Sequence, residues 1–127
     1  MTRVLLGTDS VHTTAAACDY LGPRLDSEDT VIICSIPDGP VSGRDAGDAG
    51  NVARTRLVEP TVEVLDPDSL PGGDVSATLR AVADDHDADE LVVGAIRGDP
   101  ETAGGPPGST VRALLADAAR PVVVVPV

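Results

Sequence analysis

Apolar residues fall along this chain in two alternating rhythms. Short unbroken runs recur: Val4-Leu5-Leu6, Val31-Ile32-Ile33, Leu91-Val92-Val93 and Val122-Val123-Val124-Val125. Each is too short for a helix and rich in β-branched residues, the mark of strands buried on both faces. A fifth strand is expected over residues 61–65, where Val62 and Val64 alternate with polar neighbours. Between the runs the spacing changes to that of helices. Asp74 caps a helix whose Val75, Leu79, Val82 and Ala83 fall at i, i+4, i+7 and i+8, one buried stripe. His86 falls on that stripe one turn later and is read as a helix-end residue over the core.

The remaining elements follow from stop and start signals. Strand one spans residues 2–7. An Ala-rich helix opened by Ser10 or Thr13 runs to about residue 21, where Gly22-Pro23 stop it. Strand two covers 29–36 and ends at Pro37-Asp38-Gly39-Pro40. Residues 37–57 are dominated at first by Pro, Gly, Asp and Ser, and only 51–57 read as a turn or two of helix. A flexible connection is expected there. Strand four covers 90–95, a glycine-rich loop follows, Ser109-Thr110 open a helix to residue 119, and the last strand is 122–127. Strands alternating with helices predict an α/β fold: an open, five-stranded, doubly wound parallel sheet with helices on both faces. Ligands of such sheets bind outside the carboxyl ends of the strands.

The 127 residues fit a single domain, 1–127. With no Phe, no Trp and one Tyr, the core must be built from Val, Leu, Ile and Ala. No apolar run is long enough to span a membrane, and no apolar segment with a cleavage site opens the chain, so a cytoplasmic protein is expected. Twenty-one acidic residues face nine basic ones, all arginine, for a net charge of -12. That balance argues against nucleic acid and anionic membranes as partners. Acidic residues spread along a lysine-free chain point to a halophilic protein, since molar salt screens self-repulsion. Cys18 and Cys34 fit no zinc or redox spacing and read as small buried hydrophobes. The two histidines, His12 and His86, have no ligand-spaced partner, and no metal site on side chains is expected.

The glycine loop is where chemistry concentrates. Without lysine a Walker-type phosphate loop is excluded, and no G-x-G-x-x-G follows the first strand. What stands between strand four and the last helix is Gly94-x3-Gly98-x9-Gly108-Ser109. Glycines let backbone N–H groups approach an anion, and the helix N-terminus adds free donors and partial positive charge.

That pattern resembles the universal stress protein family, whose ATP-binding members carry G-x2-G-x9-G-[S/T] at this place. The resemblance extends along the whole chain, through Val4-Leu5-Leu6-Gly7-Thr8-Asp9-Ser10, Ala88-Asp89-Glu90-Leu91-Val92-Val93-Gly94 and Arg120-Pro121-Val122-Val123-Val124-Val125. It implies an adenine nucleotide alpha hydrolase-like arrangement. It also implies a nucleotide, ATP or AMP, and the net charge of -12 suits Mg²⁺ bridging its phosphates to the protein. Thr8, Asp9 and Ile36 would then lie by the adenine or ribose. Gly94 and Gly98 would wrap ribose and phosphates, and Gly108 and Ser109 would hold the outer phosphates. Thr110 would add a backbone donor and Arg97 a cation, with Arg112 solvated. Two features depart from the pattern: the first spacing is three residues, and the loop carries Asp99, Glu101 and Gly104-Gly105-Pro106-Pro107.

Three functions are weighed. One is a nucleotide-binding regulatory or stress-response module without strong catalysis, since no nucleophile–base pair stands out. Another is a ligand-free dimerisation module with a degenerate site. The third is an adenylating or slowly ATP-hydrolysing enzyme, suggested only by Gly7-Thr8-Asp9-Ser10. The last strand, apolar throughout, invites edge pairing, and the family resemblance implies a homodimer through Val122, Val123, Val124 and Val125.

Overall fold

A run of β-branched residues packs best when both faces of its strand are covered, and that is how the apolar runs are placed in a computed structural model of the chain. The structure describes residues 1–8, 11–35, 43–66, 69–70, 74–94, 109–116 and 118–126, with side chains from residue 48 in the second helix and 110 in the last. Five parallel strands, β1 (Arg3–Thr8), β2 (Thr30–Ser35), β3 (Thr61–Val64), β4 (Glu90–Gly94) and β5 (Val122–Val125), form one sheet in the order β3-β2-β1-β4-β5. Val4 lies against Val31 on one side and Glu90 on the other, so β1 is the central strand.

Alternation along each strand feeds two separate cores. Val4, Leu6, Val31, Ile33, Val92 and Val125 face α1 (Val11–Leu21) and α2 (Gly43–Arg56), where they meet Ala17, Cys18, Leu21 and Ala53. Leu5, Ile32, Cys34, Leu91 and Val93 face α3 (Val75–Asp85) and α4 (Ser109–Ala116), meeting Leu79, Val82, Val111 and Leu114. The expected doubly wound α/β sheet with helices on both faces is therefore the observed one. Cys18 and Cys34 are free, buried, and belong to opposite faces. Burial pushes each thiol up to about 11, as expected of inert apolar cysteines.

Most element bounds agree with the sequence reading to within a residue or two. The last helix ends at Ala116 rather than 119. The larger difference is α2. A connection with a turn or two of helix was expected over 37–57, yet helix extends from Gly43 to Arg56. Its buried face is made of small residues, Ala49, Gly50 and Ala53, followed by Leu57. A Cβ on Gly50 would stand 3.0 Å from Val64 Cγ2, so glycine here sets how closely the helix lies on β3.

Short polar contacts close the fold at its edges. Asp29 accepts the N–H of Thr2 at 2.7 Å and of Asp26 at 2.9 Å, clamping the start of β1 to the start of β2. The Asp74 side chain accepts the N–H of Ala77 at 2.8 Å, the expected N-cap of α3. At the other end His86 is the C-cap and Asp87 takes a left-handed φ of 52°. Ala88 N–H bonds the carbonyl of Ala83 and Asp87 N–H that of Asp84, so a Schellman motif ends the helix without glycine.

Candidate functional site

In a sheet of parallel strands with returning helices, every strand ends and every helix begins at the same edge. Here that edge carries Thr8 at the end of β1, Ser35 at the end of β2 and Gly94 at the end of β4. Thr8 and Ser35 are register partners. Gly94 follows Val93, the partner of Gly7, by one residue. The three thus stand in a row, Ser35–Thr8–Gly94, across the middle of the sheet. The N-terminus of α4, Ser109 followed by a half-buried Thr110, returns from this edge toward β5, whose Val122 pairs with Leu91 at the opposite end. The first N–H groups of α4 and the positive end of its dipole are directed to the edge.

Burial distinguishes the polar groups. Thr8 and Ser35 are 5% and 8% exposed. The Thr8 hydroxyl is 2.9 Å from that of Thr14 in α1. The Ser35 hydroxyl is fully buried and has no hydrogen-bond partner among the described residues. A buried hydroxyl without a partner costs about 1–3 kcal/mol, and this one stands at the terminus of a strand. Strand alternation points it to the α1–α2 side, the side of Thr8 and Thr14. Ser35 was not singled out from the sequence. The available signal was a lone hydroxyl at the end of an otherwise apolar run.

Of the residues expected to bind a ligand, Thr8, Gly94, Ser109 and Thr110 lie on the described part of the edge, the Ser109 side chain excepted. Asp9, Ile36, Arg97, Gly98 and Gly108 lie outside the described residues. The described rim supplies hydroxyls and main-chain groups, a set suited to hydrogen bonding a polar ligand. The valines expected at a dimer contact form β5, one of the two outer strands, bonded to β4 alone among the described strands. Val122, Val123 and Val124 are half-buried and Val125 is buried. Among the described residues no three His, Cys, Asp or Glu side chains gather as metal ligands, and no helix is long and apolar enough to cross a membrane.

A central parallel sheet in this order, covered on both faces and open at one polar edge, defines a doubly wound α/β protein. Solved structures narrow the fold to that of universal stress proteins. The universal stress protein from Archaeoglobus fulgidus matches over 98% of this chain and 93% of its own, at 17% identity and a TM-score of 0.58. A universal stress protein solved in complex with cAMP matches over 98% and 95%, at 19% identity and a TM-score of 0.60. The Archaeoglobus fulgidus protein in complex with dAMP matches over 98% of both chains, at 17% identity and a TM-score of 0.56. At such identities the likeness is one of fold. No protein-family model matches the sequence, and no curated protein does.

Proposed function

We propose that this chain is a universal-stress-type module that binds an adenine nucleotide at the Ser35–Thr8–Gly94 edge and acts by binding rather than by fast chemistry. The observation that carries the reading is the row of strand ends beside the α4 N-terminus, in a fold whose solved counterparts hold cAMP and dAMP. In this reading Thr8, Asp9 and Ile36 border the base and ribose. Gly94, Arg97 and Gly98 line the path to the phosphate, and Gly108, Ser109 and Thr110 receive it. Ser35 joins the base and ribose group through its unspent hydroxyl.

Asp99 and Glu101 in the intervening loop disfavour a triphosphate tail, so the monophosphate is the preferred ligand, with Mg²⁺ needed only for ATP. The test is calorimetric titration of AMP, cAMP, dAMP and ATP with and without Mg²⁺ in concentrated KCl. AMP-type ligands are expected to bind more tightly than ATP, and Gly108→Val to abolish binding. Absence of binding by all four would leave the ligand-free module as the reading.

The second site of this reading is the outer edge of β5. An edge strand with an unpaired row of main-chain groups and half-buried valines on it pairs readily with a twin. We read it as the two-fold contact of a homodimer through Val122 to Val125. Sedimentation in molar salt is expected to give a dimer at micromolar concentration, and a monomer would refute the contact. The acidic, lysine-free surface is read as an adaptation to high salt, and a cytoplasmic location accords with both.

A further inference from the structure

The helix that follows β1 turns one line of buried residues to the sheet: Thr14, Ala17, Cys18 and Leu21, at i, i+3, i+4 and i+7. Ala17, Cys18 and Leu21 belong to the apolar core on that face. Thr14 opens the line, in the first turn of α1 and therefore nearest the polar edge, and it is 0% exposed. Apolar packing alone would favour valine at such a place, since valine has the shape of threonine and no hydroxyl to satisfy. A fully buried hydroxyl in an apolar line points to what the hydroxyl bonds.

That partner is Thr8. The two Oγ1 atoms are 2.9 Å apart, and Thr8 is buried as well. The contact joins the last residue of β1 to the first turn of α1. Thr8 is also the middle member of the row Ser35–Thr8–Gly94. The pairing of β1 with β2 reaches Thr8, whereas that with β4 ends at Gly7. Strand pairing thus holds Thr8 from the β2 side, and α1 adds a hold from the face of the sheet through Thr14. Threonine is stiff at χ1, and one torsion places hydroxyl and methyl together. A bond from Thr14 to the hydroxyl therefore fixes the whole Thr8 side chain, and with it the main chain at the end of the strand. Burial keeps water from competing for either hydroxyl, which strengthens the bond.

We propose that Thr14 is a positioning residue for the nucleotide. It is closed to solvent and to ligand and acts through Thr8, which it holds in the geometry that meets the base and ribose. The inference rests on the nucleotide-binding reading of this edge. A site held ready in this way binds more tightly, because the ligand does not bear the cost of ordering it.

The experiment separates the hydroxyl from the shape of the side chain. Thr14→Val keeps the shape and loses the hydroxyl, whereas Thr14→Ser keeps the hydroxyl and loses a buried methyl. Both variants are less stable than wild type, so stability alone does not distinguish them. AMP is titrated by calorimetry into the full chain and each variant, in concentrated KCl and below each thermal midpoint. Thr14→Val is expected to bind about tenfold more weakly, the worth of one hydrogen bond. Thr14→Ser is expected to recover most of that loss. A second measurement needs no variant: three-bond couplings in the free wild type are expected to show Thr8 in a single χ1 rotamer, kept when AMP is added. Unchanged affinity in Thr14→Val, an equal loss in Thr14→Ser, or rotamer averaging at Thr8 before AMP is added would each overturn this inference and leave the nucleotide reading standing. A wild type that binds none of AMP, cAMP, dAMP and ATP would overturn both.

Discussion

Thr8 Oγ1 lies 2.9 Å from Thr14 Oγ1, a buried contact that fastens the end of the central strand to α1. It holds the candidate ligand edge at its middle. Thr14→Val keeps the shape of the side chain and removes the hydroxyl. It is expected to lower stability by about 1–2 kcal/mol, seen as a lower urea midpoint with an unchanged slope.

The other face of β1 is controlled by Gly7. A Cβ there would stand 2.8 Å from Leu79 Cδ2 and 3.4 Å from Val93 Cγ1, in a packed core. Gly7→Ala is expected to cost about 1–3 kcal/mol through overpacking, and Gly7→Val more. Leu79→Ala should cost less in the Gly7→Ala background than in the wild type, because the two side chains compete for one space. A double-mutant cycle by chemical denaturation measures this directly, and strict additivity would contradict it.

Asp87 ends α3 with a φ of 52°, where an L-residue is strained and glycine is not. Asp87→Gly is expected to stabilise by about 0.5 kcal/mol, the relief of strain exceeding the added entropy of the unfolded chain. Asp87→Val is expected to destabilise by about 1 kcal/mol or more. Thermal midpoints of the pair should bracket that of the wild type.

Two aspartates make stability fall in acid. The N–H groups of Asp26 and Thr2 hold Asp29 below its ordinary value of 3.8, and the N–H of Ala77 with the Ser76 hydroxyl does the same for Asp74. Both folded-state values lie below the unfolded ones. Their contribution is therefore complete above the unfolded value and is lost as pH falls through the folded one. Urea denaturation between pH 5 and pH 2, taken as rough bounds from the usual aspartate range, is expected to show a smaller loss for Asp29→Asn and Asp74→Asn than for wild type.

Salt should act on the whole surface. With a net charge of -12 and no lysine, self-repulsion dominates at low ionic strength. The Debye length falls from about 30 Å at 0.01 M to about 3 Å at 1 M. The thermal midpoint is expected to rise steeply with KCl and to rise less in a variant where exposed Asp19, Glu28 and Glu59 are changed to their amides. A midpoint independent of salt would remove the halophile reading.

What could be read from the chain and what could not follow one physical division. The runs around Val4, Val31, Leu91 and Val122 are continuous apolar segments because parallel strands are covered on both faces, so burial leaves a mark in composition. The α3 stripe and its Asp74 cap are local patterns and were legible for the same reason. Helix α2 was not, because its buried face is Ala49, Gly50 and Ala53, residues chosen for close approach to β3 and carrying little apolar signal.

The candidate site divides in the same way. The glycine pattern at Gly94 and the hydroxyls at Ser109 and Thr110 announce themselves by spacing. Ser35 does not, because its meaning depends on being buried beside Thr8 without a partner. Arg80 and Arg120 line one cavity although 40 positions separate them, and only the packing of α3 beside the end of α4 brings them to one place. The sequence by itself determined the element types apart from the extent of α2, the parallel order of strand and helix, and the acidic charge balance, since these rest on local propensity and summed charge. Tertiary structure alone decided the strand order, the two opposed cores and which buried donors lack acceptors, since these depend on contacts between segments distant in the chain.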